Sequence, residues 1–121
     1  VHVSQIGGIT PGRKLATYCE RFGVRTAWHG PGDTSPVGHA ANLHLDLSSR
    51  NFGIQEWHEF NEAAREVFPR TPEVVDGYLY PSDSPGLGID IDEEAASRFP
   101  PHDRLPTWTE ARHPDGTSWT P

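Results

Sequence analysis

Val24-Arg25-Thr26-Ala27-Trp28-His29-Gly30-Pro31-Gly32-Asp33-Thr34-Ser35-Pro36 decides the fold of this chain. Val24–Trp28 is short, apolar and β-prone, and the Gly- and Pro-rich His29–Asp33 stretch breaks it. Ser35 then supplies an N-cap hydroxyl and Pro36 suits the first helical position, predicting a helix to about Asp46. The same unit lies on either side. Upstream, Val1–Ile6 reads as a strand, Gly7-Gly8 as a turn, and a helix is predicted from about Pro11 to Phe22 with Thr10 as N-cap. Leu15, Tyr18, Cys19 and Phe22 fall at helical spacing on one expected apolar face, and Gly23 ends the helix. Downstream, Phe52–Trp57 reads as a strand and Asn61 to Phe68 as a helix. Strand, loop and helix repeating at about 25 residues predict an α/β chain with a parallel sheet covered by its crossover helices.

The pattern changes at Pro69. Val74–Tyr80 suits a strand or half of a hairpin turning at Asp76-Gly77, and Pro81–Gly88 suits a loop. Asp92 is placed to cap a short helix ending near Phe99. The remaining irregular segment, with two Trp, has no hydrophobic period of its own and is expected to wrap over other parts of a larger structure.

Composition narrows the functional classes. The 121 residues suit one domain of ordinary size, and 12 Gly with 12 Pro punctuate the chain heavily without reaching a disordered composition. Only 34% of residues are hydrophobic, so the aromatic residues are expected to supply much of a thin core. A formal charge of −7 with no basic stripe argues against a nucleic-acid partner. No polybasic segment or long apolar run points to a membrane. The single cysteine, Cys19, excludes an internal disulfide and a Cys-rich zinc module and is read as core. With no signal-peptide pattern, the expected compartment is the cytoplasm. The start at Val1 and the absence of Met read as a piece cut from something longer.

In parallel α/β folds ligands bind where strands end and helices begin. Those edges carry Gln5 with Gly7-Gly8, His29 with Asp33, and Gln55 with Glu56. His29, Asp33 and Glu56 are the candidate site: a group that titrates near neutrality and two carboxylates, suited to hydrogen-bonding a polyhydroxylated or carboxylated substrate. Asp33 also suits a turn or a helix dipole, and His29 a structural loop position. His39 and His44 are five apart, not the four of a metal-binding helix pair, and read as packing or surface. Asp90–Glu94 reads as a capped helix start rather than a cation site, and Gly7–Thr10 lacks the Lys of a phosphate loop. No nucleophile elbow is present.

Taken together, Gly7–Pro11, Leu15–Leu47, Asn51–Trp57, Phe68-Pro69, Asp76–Tyr80, Pro85–Glu94, Phe99-Pro100 and Asp115–Thr117 resemble the C-terminal part of the mannonate dehydratase family of the enolase superfamily, the D-mannonate/D-gluconate dehydratase type. The resemblance runs the whole length of the chain. It implies that residues 1–68 are the last three βα units, strands six to eight, of a (β/α)8 barrel of the triosephosphate-isomerase type. Residues 69–121 would be a C-terminal extension completing the capping region.

The implied activity is a Mg²⁺-dependent sugar-acid dehydratase. Such enzymes remove the proton α to the carboxylate and expel the 3-hydroxyl as water, giving from D-mannonate 2-keto-3-deoxy-D-gluconate. By the same resemblance His29, Asp33 and Glu56 contact the substrate. The metal carboxylates and the acid–base residues belong to earlier strands, so no catalytic residue and no metal ligand is assigned to this chain. Members differ in the loop that here carries Pro31, which bears on which acid is preferred. The alternatives are a D-gluconate dehydratase of the same family and a non-catalytic, small-acid-binding or regulatory relative. An independently folding interaction module is disfavoured. The full-length protein is expected to be a homo-oligomer, and this polypeptide alone to be inactive.

Overall fold

The computed structural model describes residues 1–101 and 112–117. Its elements are α1 (Ile9–Arg21), α2 (Pro36–Leu47), α3 (Glu62–Val67), β1 (Val74–Val75), β2 (Tyr78–Leu79) and α4 (Glu93–Ser97). Trp108 and Trp119 of the expected irregular tail lie outside the described residues.

Three helices start where local chemistry requires. Ser35 accepts from the Gly38 N–H, Asn61 from Ala64 and Asp92 from Ala95, each occupying a donor that the first helical turn leaves free. α1 departs from expectation: it starts at Ile9, with Gly8 at the N-cap and no side-chain cap, so Thr10 lies inside the first turn. Pro11 is tolerated there because first-turn N–H groups have no intrahelical acceptor. Gly23 takes φ +66° and ends α1 as expected, its N–H bonding the Glu20 carbonyl.

The three predicted strands do not form a ladder. Val1–Ile6 is a series of turns, because the His2 carbonyl accepts locally from the Gln5 and Ile6 N–H groups and Val3 from Gly8. Val24–Trp28 and Phe52–Trp57 meet only at a parallel bridge, Thr26 to Phe52. Thr26 donates to Asn51 and its carbonyl accepts from Gly53, both at 2.9 Å. Beyond that bridge, side chains take the main-chain groups that a ladder would use. Asn51 donates to the Val24 carbonyl, Asn42 to the His29 carbonyl, and the Glu56 carboxylate accepts from the Gly30 N–H. The two segments still run side by side, since Thr26–Phe52 and Gly30–Glu56 share an offset of 26 residues. Burial alternates along the first of them, with Thr26, Trp28 and Gly30 inside and Ala27 and His29 outside. Among the described residues the N-terminal segment joins through one main-chain bond, His29 N–H to the Val1 carbonyl at 2.9 Å. The α/β order of elements is present, and the sheet is reduced to these contacts.

Val3, Ala16, Trp28 and Leu45 form the core, with Ile6 and Leu15 packed against it. Gly12 lets α1 settle on α2, since a Cβ there would stand 3.1 Å from Leu45 Cδ1. Burial of a side chain such as Leu45 contributes about 1.5–3 kcal/mol. The expected aromatic core is smaller than predicted. Tyr18 and Phe22 are 66% and 65% exposed and touch each other, because the core-facing stripe of α1 is set by Gly12 and Ala16 one position round the helix. Cys19 is half-buried.

The tail folds back locally. Asp76 and Gly77, at φ 49° and 81°, make the two-residue turn between β1 and β2, whose positive angles suit the twist of an antiparallel hairpin. Arg98 bonds Glu66, Asp92 N–H bonds the Val67 carbonyl, and His44 of α2 contacts the Leu87 carbonyl at 3.2 Å. No helix of the described residues is long and apolar enough to cross a membrane.

Candidate functional site

His29 follows the Thr26–Trp28 segment directly, and Glu56 sits at the matching level of the neighbouring segment. Their side chains approach to 3.9 Å, Nε2 to Oε1, and both are about half exposed, at 50% and 54%. The other carboxylate oxygen of Glu56 accepts from the Gly30 N–H at 3.2 Å. One acid therefore grips the loop backbone and faces the imidazole at once. Asp33 lies exposed on the turn that the Thr34 N–H closes onto the Pro31 carbonyl. His29 and Glu56 are thus brought together, while Asp33 stands on the rim of the same loop. Gln55 turns elsewhere, its amide donating to the Glu56 carbonyl.

Several residues of this region were not read from the sequence as part of the site, His39 among them, which was read as packing or surface. The His2 ring meets His29 edge-on at 5.4 Å, and its two nitrogens contact Thr34 Oγ1 at 2.9 Å and Ser4 Oγ at 2.8 Å. On α2, Asn42 donates to the His29 carbonyl at 3.2 Å and His39 Nε2 reaches the Pro31 carbonyl at 3.1 Å. His39 is wholly buried, with its ring edge-on to Trp57 and Phe60. The available signal was an i, i+3 polar pair on a helix that otherwise buries Ala40, Ala41, Leu43 and Leu45. His44 contacts the Leu87 carbonyl, consistent with packing.

Gly30 is required by the closeness of the two segments. A Cβ there would lie 2.3 Å from the Glu56 carbonyl oxygen and 3.0 Å from the His39 ring. Gly30→Ala is expected to force the segments apart and destabilise the fold by about 3 kcal/mol, the upper range for overpacking. Urea unfolding reads the change, and an unaltered midpoint would contradict the close approach.

A cavity of about 670 Å³ lies elsewhere, against Leu43, Phe52, Ile54, Trp57 and Tyr78. Its lining is mostly apolar, and its one carboxylate, Asp46, is buried with neither oxygen hydrogen-bonded among the described residues. Burial pushes the Asp46 carboxyl up to about 7. A polyhydroxylated acid needs many polar partners, so the polar rim at His29 and Glu56 is the better candidate. Among the described residues no group of three or more His, Cys, Asp or Glu stands where it would hold a metal ion.

Comparison with known proteins adds the following. The family described as enolase C-terminal domain-like matches residues 1–95. A D-galactonate dehydratase family member, RspA of Pantoea ananatis, is 63% identical over 120 residues, covering 99% of this chain and 29% of that protein. A D-galactonate dehydratase family member of Enterococcus gallinarum is 56% identical over 122 residues, covering 100% of this chain and 30% of that protein. The chain thus spans less than a third of the length of these curated relatives. Among solved structures, an enolase from Pantoea ananatis with bound D-gluconate and Mg superposes with a TM-score of 0.84 at 63% identity, over 99% of this chain and 29% of that one. A putative L-alanine-DL-glutamate epimerase from Burkholderia xenovorans, bound to magnesium and fumarate, gives a TM-score of 0.73 at 26% identity, over 79% and 24% of the two chains.

Proposed function

Since this chain belongs to the enolase C-terminal domain-like family, we propose that it is the C-terminal part of a Mg²⁺-dependent sugar-acid dehydratase. The whole enzyme removes water from a sugar acid to leave a 2-keto-3-deoxy acid. The observation that carries this is the 63% identity and 0.84 TM-score to an enolase structure with D-gluconate and Mg bound. That ligand favours D-gluconate over D-mannonate, the acid that the sequence resemblance put first. D-Gluconate and D-mannonate differ only at C2, the carbon that loses its proton, so one keto-deoxy product follows from either.

In this reading residues 1–68 are the last three units of a barrel and residues 69–121 an extension over its capping region. His29, Asp33 and Glu56 then lie at the edge facing the substrate. Glu56 and Asp33 accept from sugar hydroxyls, and His29 donates or accepts beside them. The described residues do not form a metal site, and in this reading the carboxylates that hold the ion belong to earlier strands of the full-length polypeptide. What these residues supply is orientation. Hydroxyls held in fixed directions place C2 and C3 for elimination, and such positioning accounts for a large share of enzymatic rate.

The test is turnover by the full-length polypeptide with D-gluconate, D-mannonate and D-galactonate, with Mg²⁺ and after chelation. Keto-deoxy product from D-gluconate, lost on chelation and restored by Mg²⁺, is the expected result. No product from any of the acids would overturn the assignment. Saturable binding of D-gluconate without turnover would instead establish the second reading, a sugar-acid-binding relative.

A further inference from the structure

We propose that His39 and Asn42, reaching up from the buried face of α2, are positioning residues that hold the His29–Asp33 loop in its binding geometry. The inference rests on the reading of that loop as the sugar-acid contact. Asn42 donates to the carbonyl of His29 itself, and His39 contacts the carbonyl of Pro31, two residues on. Pro31 has no N–H and Gly32 has no side chain, so this stretch has few anchors of its own. The two helix donors and the Glu56 carboxylate on Gly30 hold three successive residues of the loop.

The chemistry sets the ring's protonation. A carbonyl only accepts, so His39 Nε2 carries the proton and Nδ1 is left as an acceptor. Nδ1 is buried with no partner among the described residues, and Trp57 and Phe60 crowd the ring. A second proton would place a charged N–H where none of the described residues accepts it. Burial accordingly holds His39 below its ordinary value, with His58 and His2 adding to the shift and Glu56 and the Pro31 bond opposing it. The ring therefore stays neutral and keeps one tautomer, and the loop inherits that fixity. His58 lines the loop from another side, where a Cβ on Gly32 would come within 2.7 Å of its ring.

The experiment compares His39→Phe, which keeps a ring against Trp57 and Phe60 but has no donor, with His39→Gln, whose amide offers an N–H at a similar reach. In the full-length polypeptide with D-gluconate and Mg²⁺, His39→Phe is expected to raise KM about 10-fold or more with kcat within about threefold, the pattern for lost uniform binding. His39→Gln is expected to return KM to within about threefold of the parent. A His39→Phe variant with unchanged KM, or a folded His39→Gln variant as impaired as His39→Phe, would overturn the proposal. If the parent turns over no sugar acid, the functional reading falls, and amide exchange of the full-length polypeptide judges the clamp by itself. Protection of the Gly30 N–H should then drop at least 10-fold in His39→Phe while amides of α2 hold theirs, since local opening frees that group selectively. Unchanged protection at Gly30 would overturn the clamp on that arm too.

Discussion

Replacing Glu56 with Ala in the full-length polypeptide is expected to lower kcat/KM for D-gluconate by about 100-fold, the worth of a charge-assisted hydrogen bond with its partner left unpaired. Glu56 makes two contacts here. One oxygen accepts from the Gly30 N–H at 3.2 Å, and the other stands 3.9 Å from His29 Nε2. Removing the carboxylate leaves the buried Gly30 N–H without its acceptor and takes away the acid that faces the His29 ring. Glu56→Gln keeps an acceptor for Gly30 but not the charge, so a smaller fall of about 10-fold is expected. The His29–Glu56 pair itself is half exposed, which limits its direct contribution. The loss should therefore come through loop geometry and hydroxyl binding. Because the two residues touch, losses from His29→Asn and Glu56→Ala should combine to less than their product. Steady-state kinetics on the parent and these variants decides the matter. A Glu56→Ala enzyme within threefold of the parent would remove Glu56 from the site.

The second large effect is on stability and its dependence on pH. Asp46 sits on α2 beside the apolar cavity, buried, with neither oxygen hydrogen-bonded among the described residues. Burial raises its carboxyl from 3.8 to about 7. Between those values the folded chain holds a proton that the unfolded chain has lost, so stability falls as pH rises from about 4 to 7 and is lowest above 7. The whole shift corresponds to about 4 kcal/mol. Asp46→Asn carries no charge at any pH and should remove that slope. At pH 8 the variant is expected to be more stable than the parent by about 1–3 kcal/mol, the gain being offset in part by an amide N–H that also lacks a partner. At pH 4 it should be no better than the parent, or worse. Urea unfolding of both proteins across that range reads the difference. Parallel curves for the two proteins would show that Asp46 is paired or hydrated in the folded state.

The family was legible in the sequence, because collinear motifs from Gly7 to Thr117 survive without any knowledge of contacts. The finer substrate assignment was not. The loop that carries His29, Pro31 and Asp33 can be read as a string, but its shape depends on which groups seize its backbone. The bound D-gluconate of a 63%-identical relative is what shifts the proposal away from D-mannonate.

What the sequence determined by itself were features whose partners lie within a few residues. Ser35, Asn61 and Asp92 cap their helices through N–H groups three positions on, and Asp76-Gly77 turns the hairpin through its own dihedral angles. Only the tertiary structure decided the rest. It exposed Tyr18 and Phe22, and it placed Asn51, Asn42 and Glu56 on backbone groups that the predicted parallel strands would have shared. It also buried His39 beneath the candidate site. A cap answers to its own turn of helix, whereas a carbonyl at His29 or an N–H at Gly30 is satisfied by residues 13 and 26 positions away. Which of several competent donors or acceptors arrives there is settled by packing, and packing has no local spelling.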